Sequence, residues 1–267
     1  MNTDPRATRE KEFHNQWAET IERDDLLVRE AFESPTAIEN QFVLSRMGDL
    51  KGKKILDLGC GAGETSVYFA RSGAKVFCCD IAEGLLKISL TLAQKYGVVL
   101  ESVAASCGQL PFHDGTFDIV YGNGVLHHLD LFPAAAEIRR VMKTGAKAFF
   151  IEPLPYNPII NIYRKMAQAL RTEDETPLRV SQIKKLEDYF SSVETRQFWF
   201  LTLLIFLHFF FVRRWHPSRV RYWKKVIQEG ESYRGSFLVL KRCDDFLMKY
   251  FPFLRRLCWN TVIIVQR

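Results

Sequence analysis

The sequence has no apolar run long enough to cross a bilayer as a helix. Its main uncharged stretch, Phe198 to Val212, spans fifteen residues, whereas a spanning helix needs about 20. The six cysteines, Cys60, Cys78, Cys79, Cys107, Cys243 and Cys258, form no C-x-x-C pair. Neither disulfides nor a zinc site is expected of them; no metal centre is predicted, and a reduced, cytoplasmic setting is. Met1 to Lys11 is polar and charged, which speaks against a secretory signal. No internal repeat or low-complexity segment is present, which leaves out solenoids and disordered tails. Two phosphate-binding signatures are missing as well. Counting from Gly59, the sixth place of a G-x-G-x-x-G pattern is Glu64, and no Gly-Lys-Ser/Thr follows the glycines, so neither a dinucleotide site nor a P-loop is supported.

What is present suits one large α/β domain with insertions, since 267 residues with 47% hydrophobic content can bury a sizeable core. The net charge of +6 is unevenly placed. Arg196 to Arg267 holds fourteen Lys and Arg against four Asp and Glu, so the residues before it carry −4. One end of the protein therefore suits an anionic surface, a membrane or a nucleic acid.

The chain is organised around Lys54 to Thr65. An apolar run, Ile55 to Leu58, breaks into Gly59, Gly61 and Gly63, and a helical pattern from Thr65 to Arg71 follows. Glycines serve there because the turn wants positive φ and a ligand must approach the backbone closely. Asp57 and Glu64 would repel a pyrophosphate and suit a ligand bearing cationic groups. Strands at Lys75 to Asp80, Val98 to Ala104, Phe117 to Tyr121 and Ala146 to Glu152 alternate with helices at Glu83 to Tyr96 and Pro133 to Met142. That alternation predicts a Rossmann-like, mostly parallel sheet with helices on both faces and ligands at the strands' carboxyl ends. The Gly59 loop, Asp80, Ser106, Asn123 and Glu152 all fall at those ends.

Upstream, one helix is expected over residues 10–33 with Phe13, Trp17 and Ile21 on a stripe, and a second from Ser34-Pro35 to Met47 with Ile38, Phe42 and Val43 inward. Downstream come a proline-punctuated exit, a helix from Ile159 to about Leu170, a polar loop to Pro177, a helix from Val180 to Phe190, a sixth strand from Val193 and a last strand from Asn260 to Val265. The expected divisions are a helical cap (1–48), a ligand-binding core (49–152), cap helices with the sixth strand (153–195), and an aromatic, basic insertion with the final strand (196–267).

Asp57-x-Gly59-x-Gly61-x-Gly63 resembles the first motif of class I S-adenosylmethionine-dependent methyltransferases. Three further features support the resemblance: Asp80, 23 residues after Asp57; Leu110 to Val120, similar to the segment entering the fourth strand; and Gly122 to Leu129, similar to that strand's end. Together they cover roughly residues 50–152 and look most like the ubiquinone and menaquinone biosynthesis members, which act on small molecules or lipids. The resemblance implies a seven-stranded sheet, S-adenosylmethionine as cofactor and an N-terminal helical lid. It places the methionine part on Asp57, Gly59, Cys60, Gly61 and Gly63, the ribose on Asp80, the adenine against Ile81 near Ser106, Cys107 and Gln109, and the amino end near Asn123. Two positions depart from the pattern: Ser106 stands where relatives carry an acid, and a hydroxyl accepts more weakly than a carboxylate; Thr144 stands where a proline is usual.

Methyl transfer from a sulfonium is an in-line displacement for which the protein aligns the acceptor and excludes water. His127 and His128 are the candidate bases, since imidazole titrates near neutral pH, and Glu152 is a further catalytic candidate that would orient an acceptor hydroxyl. His14, Trp17, Tyr156 and Tyr163 are expected to face the acceptor, against the alternative that they pack.

The insertion couples aromatics to cations. Phe198 to Val212 closes on Arg213-Arg214, and Phe246 to Trp259 interleaves rings with Lys249, Arg255 and Arg256, a pattern for the membrane interface. A private subdomain or a dimer contact is the competing reading. The leading expectation is a methyltransferase that acts at the inner face of a membrane, as a peripheral or monotopic protein, on an isoprenoid, quinone, lipid or lipid-linked acceptor. The alternatives are a soluble O- or C-methyltransferase of natural products and a non-catalytic cofactor-binding scaffold. Nucleic-acid methylation is disfavoured because Gly122-Asn123-Gly124-Val125 replaces the Asn/Asp-Pro-Pro-aromatic motif of base methylation. The sequence leaves the oligomeric state open.

Overall fold

In the computed structural model, residues 5–22, 25–168, 171–172 and 175–267 are described. Helices α1 (Pro5–Glu19), α2 (Glu30–Glu33) and α3 (Ile38–Met47) precede β1 (Lys54–Leu58), α4 (Glu64–Arg71), β2 (Lys75–Asp80), α5 (Glu83–Lys95), β3 (Leu100–Ala104), β4 (Phe117–Asn123), α6 (Leu131–Val141) and β5 (Met142–Pro153). After these come α7 (Pro158–Met166), α8 (Val180–Lys184), β6 (Ser192–Phe198), α9 (Leu204–Phe211), α10 (Tyr222–Gln228), α11 (Gly230–Tyr250) and β7 (Asn260–Gln266). The strands form one seven-stranded sheet in the order β3-β2-β1-β4-β5-β7-β6. Only β7 runs against its neighbours. The expected fold class is the observed one.

Strand periodicity assigns the core. Along β1, Ile55 points into one cluster with Val67, Phe69, Tyr121 and Phe149, while Leu56 and Leu58 point into the other with Ile138, Val141 and Ile183. Both faces are covered, which is why the central strands are largely apolar, buried Asp57 excepted. The strand order reverses between β1 and β4, and that reversal opens a crevice at their carboxyl ends.

The N-terminal region departs from expectation. The helix anticipated over residues 10–33 ends at Glu19, and only Glu30 to Glu33 is helical again; residues 23–24 of that span lie outside the described residues. Between them the Leu27 N–H donates to a distant partner, Glu64 Oε1, at 2.5 Å, and within α2 the Ala31 carbonyl accepts from Asn40 Nδ2 of the next helix at 2.7 Å. Ser34 is not the N-cap expected of it: it closes α2, its N–H donating to the Glu30 carbonyl at 3.0 Å. Its hydroxyl donates to the Ile227 carbonyl, and Thr36 donates to that of Val226, so the pair binds the end of α10 while α3 starts at Ile38. The helix expected to reach Leu170 ends at Met166; residues 169–170 and 173–174 lie outside the described residues.

The insertion is a packed helical unit. Trp199, Leu203, Phe206, Phe209, Tyr222 and Phe237 are buried together, so most of the Phe198 to Val212 run is core; Leu204, Phe211 and Val212 are its exposed residues. Asp244, buried in α11, accepts the N–H groups of Phe200, Leu201 and Thr202 and the Thr202 hydroxyl. It satisfies donors at the start of the 201–211 helical segment that no local residue caps. At the neck, Phe198 pairs with Asn260 and the Trp259 N–H donates to the Trp199 carbonyl at 2.9 Å. Glu39 accepts from both Trp199 Nε1 (2.6 Å) and Asn260 Nδ2 (2.8 Å), and burial raises its pKa to about 6. Among the described residues no helix is long and apolar enough to cross a membrane.

Candidate active site at the carboxyl ends of the central strands

The loop after β1 is held from both sides. Gly59 and Cys60 donate their N–H groups to the Cys79 carbonyl at 2.8 and 3.1 Å, and all three glycines have positive φ, 65°, 54° and 87°. Their surroundings separate their roles. A Cβ on Gly59 would lie 2.7 Å from Val125 Cγ2 and one on Gly63 2.4 Å from Ser89 Cβ, whereas a Cβ on Gly61 would meet nothing within 4 Å. The outer glycines permit close packing; the middle one presents an open cradle.

Asp80 closes one wall of that cradle. Its Oδ2 accepts the Gly61 N–H and its Oδ1 the Ala82 N–H, each at 2.9 Å. A carboxylate has about four acceptor positions, so even with the Ile81 N–H also acting on it Asp80 keeps acceptor capacity. Burial pushes its pKa up, a cost that further donors would offset. The Ala105 N–H donates to the Asp80 carbonyl, which brings the end of β3 alongside. There Ser106 and Gln109 are exposed and Cys107 is buried, while half-buried Ile81 follows Asp80. Asn123 is exposed at the end of β4, next to β1. The structure thus brings the expected loop, Asp80, Ile81, Ser106, Cys107, Gln109 and Asn123 to one end of the sheet.

Two carboxylates are employed differently from expectation. Asp57 is buried and accepts the Ser66 hydroxyl at 2.5 Å; burial raises its pKa to about 7, and its position ties β1 to α4 behind the loop. Glu64, anticipated as facing a charged ligand, is taken up by the Leu27 N–H.

Beside the cradle stands a second cluster. Glu152, buried at the end of β5, accepts the N–H groups of Val125 (3.0 Å), Leu126 (2.8 Å) and His127 (3.3 Å) and pairs with His127 Nδ1 at 2.6 Å. All its acceptor capacity is used, so it cannot orient an acceptor hydroxyl. His127 Nε2 meets Glu175 Oε1 at 2.9 Å. Burial alone would lower the pKa of this imidazole, but Glu152 and Glu175 together raise it to about 9. A ring held as the cation with both nitrogens engaged is not arranged as a base. Both residues, expected to be catalytic, are therefore arranged to position the 125–128 turn. His128 stays partly exposed, its Nδ1 3.1 Å from Glu10 Oε1.

Of the four expected acceptor-facing residues, His14 and Trp17 lie together, with ring centroids 5.8 Å apart. His14 reaches the His128 ring at 5.7 Å between centroids, and Trp17 carries the Arg221 guanidinium 4.3 Å above its ring. Tyr156 accepts the Val180 N–H, and Tyr163 packs against Tyr222 and Phe206. α1 sits as a lid on α5: Asn15 Oδ1 accepts the Gly84 N–H at 2.9 Å, and a Cβ on Gly84 would come 3.1 Å from that of Ala18. Sequence reasoning missed Glu10, Thr172 and Glu175, which complete the histidine cluster, and Arg6, whose guanidinium donates to the His127 carbonyl. They lie in a polar helix and a polar loop whose pattern carries no signal of their convergence.

Residues 56–150 match a protein-family model described as a methyltransferase domain. The chain is 34% identical over 146 residues to a demethylmenaquinone methyltransferase of Thermobifida fusca, covering 52% of this chain and 60% of that protein. It is 31% identical over 135 residues to a ubiquinone/menaquinone biosynthesis C-methyltransferase of Psychromonas ingrahamii, covering 47% and 53%. The chain thus spans little more than half the length of these curated relatives. Among solved structures it resembles phosphoethanolamine N-methyltransferase 2 of Haemonchus contortus with a TM-score of 0.55 and 17% identity, covering 86% of this chain and 52% of that one. That likeness shows the fold.

Proposed function

We propose that the protein, whose residues 56–150 match a methyltransferase domain, uses S-adenosylmethionine to methylate a hydrophobic, quinone-type acceptor at a membrane surface. The observation that carries the cofactor assignment is the Gly61 cradle with Asp80 beside it. A carboxylate with acceptor capacity left beyond its backbone donors fits ribose hydroxyls, and the open space over Gly61 fits a ligand laid on the backbone. Ser106, Gln109 and Ile81 would flank the adenine, and Asn123 the amino end. The cofactor, when bound, supplies a sulfonium methyl group open to in-line attack. This chain's residues do the rest. Glu152 and His127 fix the turn that faces the acceptor, while α1, with Thr172 and Glu175 beside the histidines, covers the site and excludes water.

Calorimetry with S-adenosylhomocysteine tests the assignment. Wild-type protein should bind in the micromolar range. Gly61→Ala should keep its fold, since the added Cβ meets nothing in the protein, at about 1 kcal/mol for the left-handed backbone, yet lose binding at least tenfold. Equal affinities in the two proteins would count against the cradle.

The quinone-type acceptor follows the names of the curated relatives, and the membrane reading rests on α11. Its inner face buries Phe237 and Asp244, whereas Val239, Arg242, Phe246, Lys249 and Tyr250 are exposed along the other face and lead to exposed Phe253, Arg255 and Arg256. Phe246 and Tyr250 touch, with ring centroids 4.6 Å apart. An exposed helix stripe of rings and cations suits an anionic bilayer, each cation adding about 1 kcal/mol near the surface. Flotation with phosphatidylglycerol vesicles should carry the protein up at low salt and release it at high salt, and Phe246→Ser with Phe253→Ser should weaken binding at least tenfold. Recovery of wild-type protein only in the vesicle-free fraction would remove the membrane assignment.

A further inference from the structure

The sequence offers no cysteine-based metal site, yet the fold assembles one of another composition. Glu10 and His14 lie one turn apart on α1, and His128 follows β4. Glu10 Oε2 is 3.3 Å from His14 Nε2, and Glu10 Oε1 is 3.1 Å from His128 Nδ1; the three groups place their ligand atoms within 4.8 Å of one another. Ligands held about 2.1 Å from a tetrahedral ion stand roughly 3.4 Å apart, so these separations need little adjustment.

Glu10 is 95% buried. Among the described residues, its Oε2 is a buried polar atom that makes no hydrogen bond of good geometry, its neighbour being His14 Nε2 at 3.3 Å. Such atoms are uncommon, and a bound ion or water is one usual reason for them. Thr172 Oγ1, 2.9 Å from Glu10 Oε1, holds the carboxylate from the other side, as groups around metal ligands do. Two imidazoles and one carboxylate select a borderline transition metal over magnesium or calcium, which prefer all-oxygen shells.

We propose that Glu10, His14 and His128 bind one divalent transition-metal ion of the zinc class. Three protein ligands leave the fourth tetrahedral position to water or to an added oxygen ligand. If the transferase reading holds, that ligand is an oxygen of the acceptor; the metal site itself does not depend on that reading. The ion would also fasten α1 to the turn after β4.

The test uses the full chain, stripped with a chelator and dialysed, and titrated with Zn²⁺ by calorimetry and with Co²⁺ by visible absorption. One equivalent should bind, with d–d bands of tetrahedral intensity. His14→Gln and His128→Gln should each weaken Zn²⁺ at least tenfold, while His216→Gln, on a surface loop away from the cluster, should bind as wild type. Circular dichroism establishes which variants are folded. Should neither variant fold, the wild-type Co²⁺ spectrum decides: octahedral, weak bands or no saturable binding would overturn the site. Folded variants that retain wild-type affinity would overturn it too. S-adenosylhomocysteine binding, measured on the same samples, reports on the cradle alone, so the two readings fail separately.

Discussion

Glu152→Ala should unfold in urea with a loss of about 3 to 5 kcal/mol, the range for removing one partner of a buried charged pair. The carboxylate is fully buried and receives three backbone N–H groups besides the His127 ring. Its removal leaves an imidazolium and three donors without their acceptor, and each unsatisfied donor costs about 1 to 3 kcal/mol before relaxation. Glu152→Gln is the informative companion. One amide oxygen can still accept from the Val125 and Leu126 N–H groups, so it should recover part of the loss, but an NH₂ against the His127 ring restores no ion pair. A midpoint for Glu152→Ala within about 1 kcal/mol of wild type would mean that the 125–128 turn is held by something other than this bracket.

Asp80→Ala should abolish cofactor binding within the range of calorimetry. Two hydrogen bonds from ribose hydroxyls to a charged acceptor contribute about 1.5 to 3 kcal/mol each, so their joint loss weakens binding by at least about a hundredfold. The substitution also frees the Gly61 and Ala82 N–H groups that Asp80 accepts, which loosens the loop. Asp80→Asn separates the contributions: it keeps one acceptor oxygen for the loop, so stability should stay close to wild type while affinity still falls. Undiminished affinity for S-adenosylhomocysteine in Asp80→Ala would remove the ribose role.

Much of this architecture could be read before any coordinates. The bounds of β1 and β2 follow from apolar runs ended by charge and glycine, and the carboxyl-end positions of the loop, Asp80 and Asn123 follow from strand and helix alternation. What could not be read depends on partners distant in sequence. The break after Glu19 goes with the Leu27 bond to Glu64, which no local periodicity records; the Phe13, Trp17, Ile21 stripe continues past the break regardless. The Phe198 to Val212 run looks alike whether it faces lipid or protein. Tyr222 and Phe237, which bury it, are supplied by later helices. His127 and Glu152 were legible as polar residues at the site, but not their bracing role, since that depends on Glu175 across the cluster.

The neck between Trp199 and Trp259 carries a consequence for how such a protein diversifies. To the sheet, the excursion between β6 and β7 is equivalent to a hairpin turn, because its two ends meet through one backbone bond beside the last residue pair. The strand register closes at that doorway, but the appendage also supports the N-terminal region, because Ser34 and Thr36 bond to the end of α10 and Arg221 lies over Trp17. A change in the length of this appendage is therefore felt less by the sheet than by α1 and the 34–38 segment, which rest on α10.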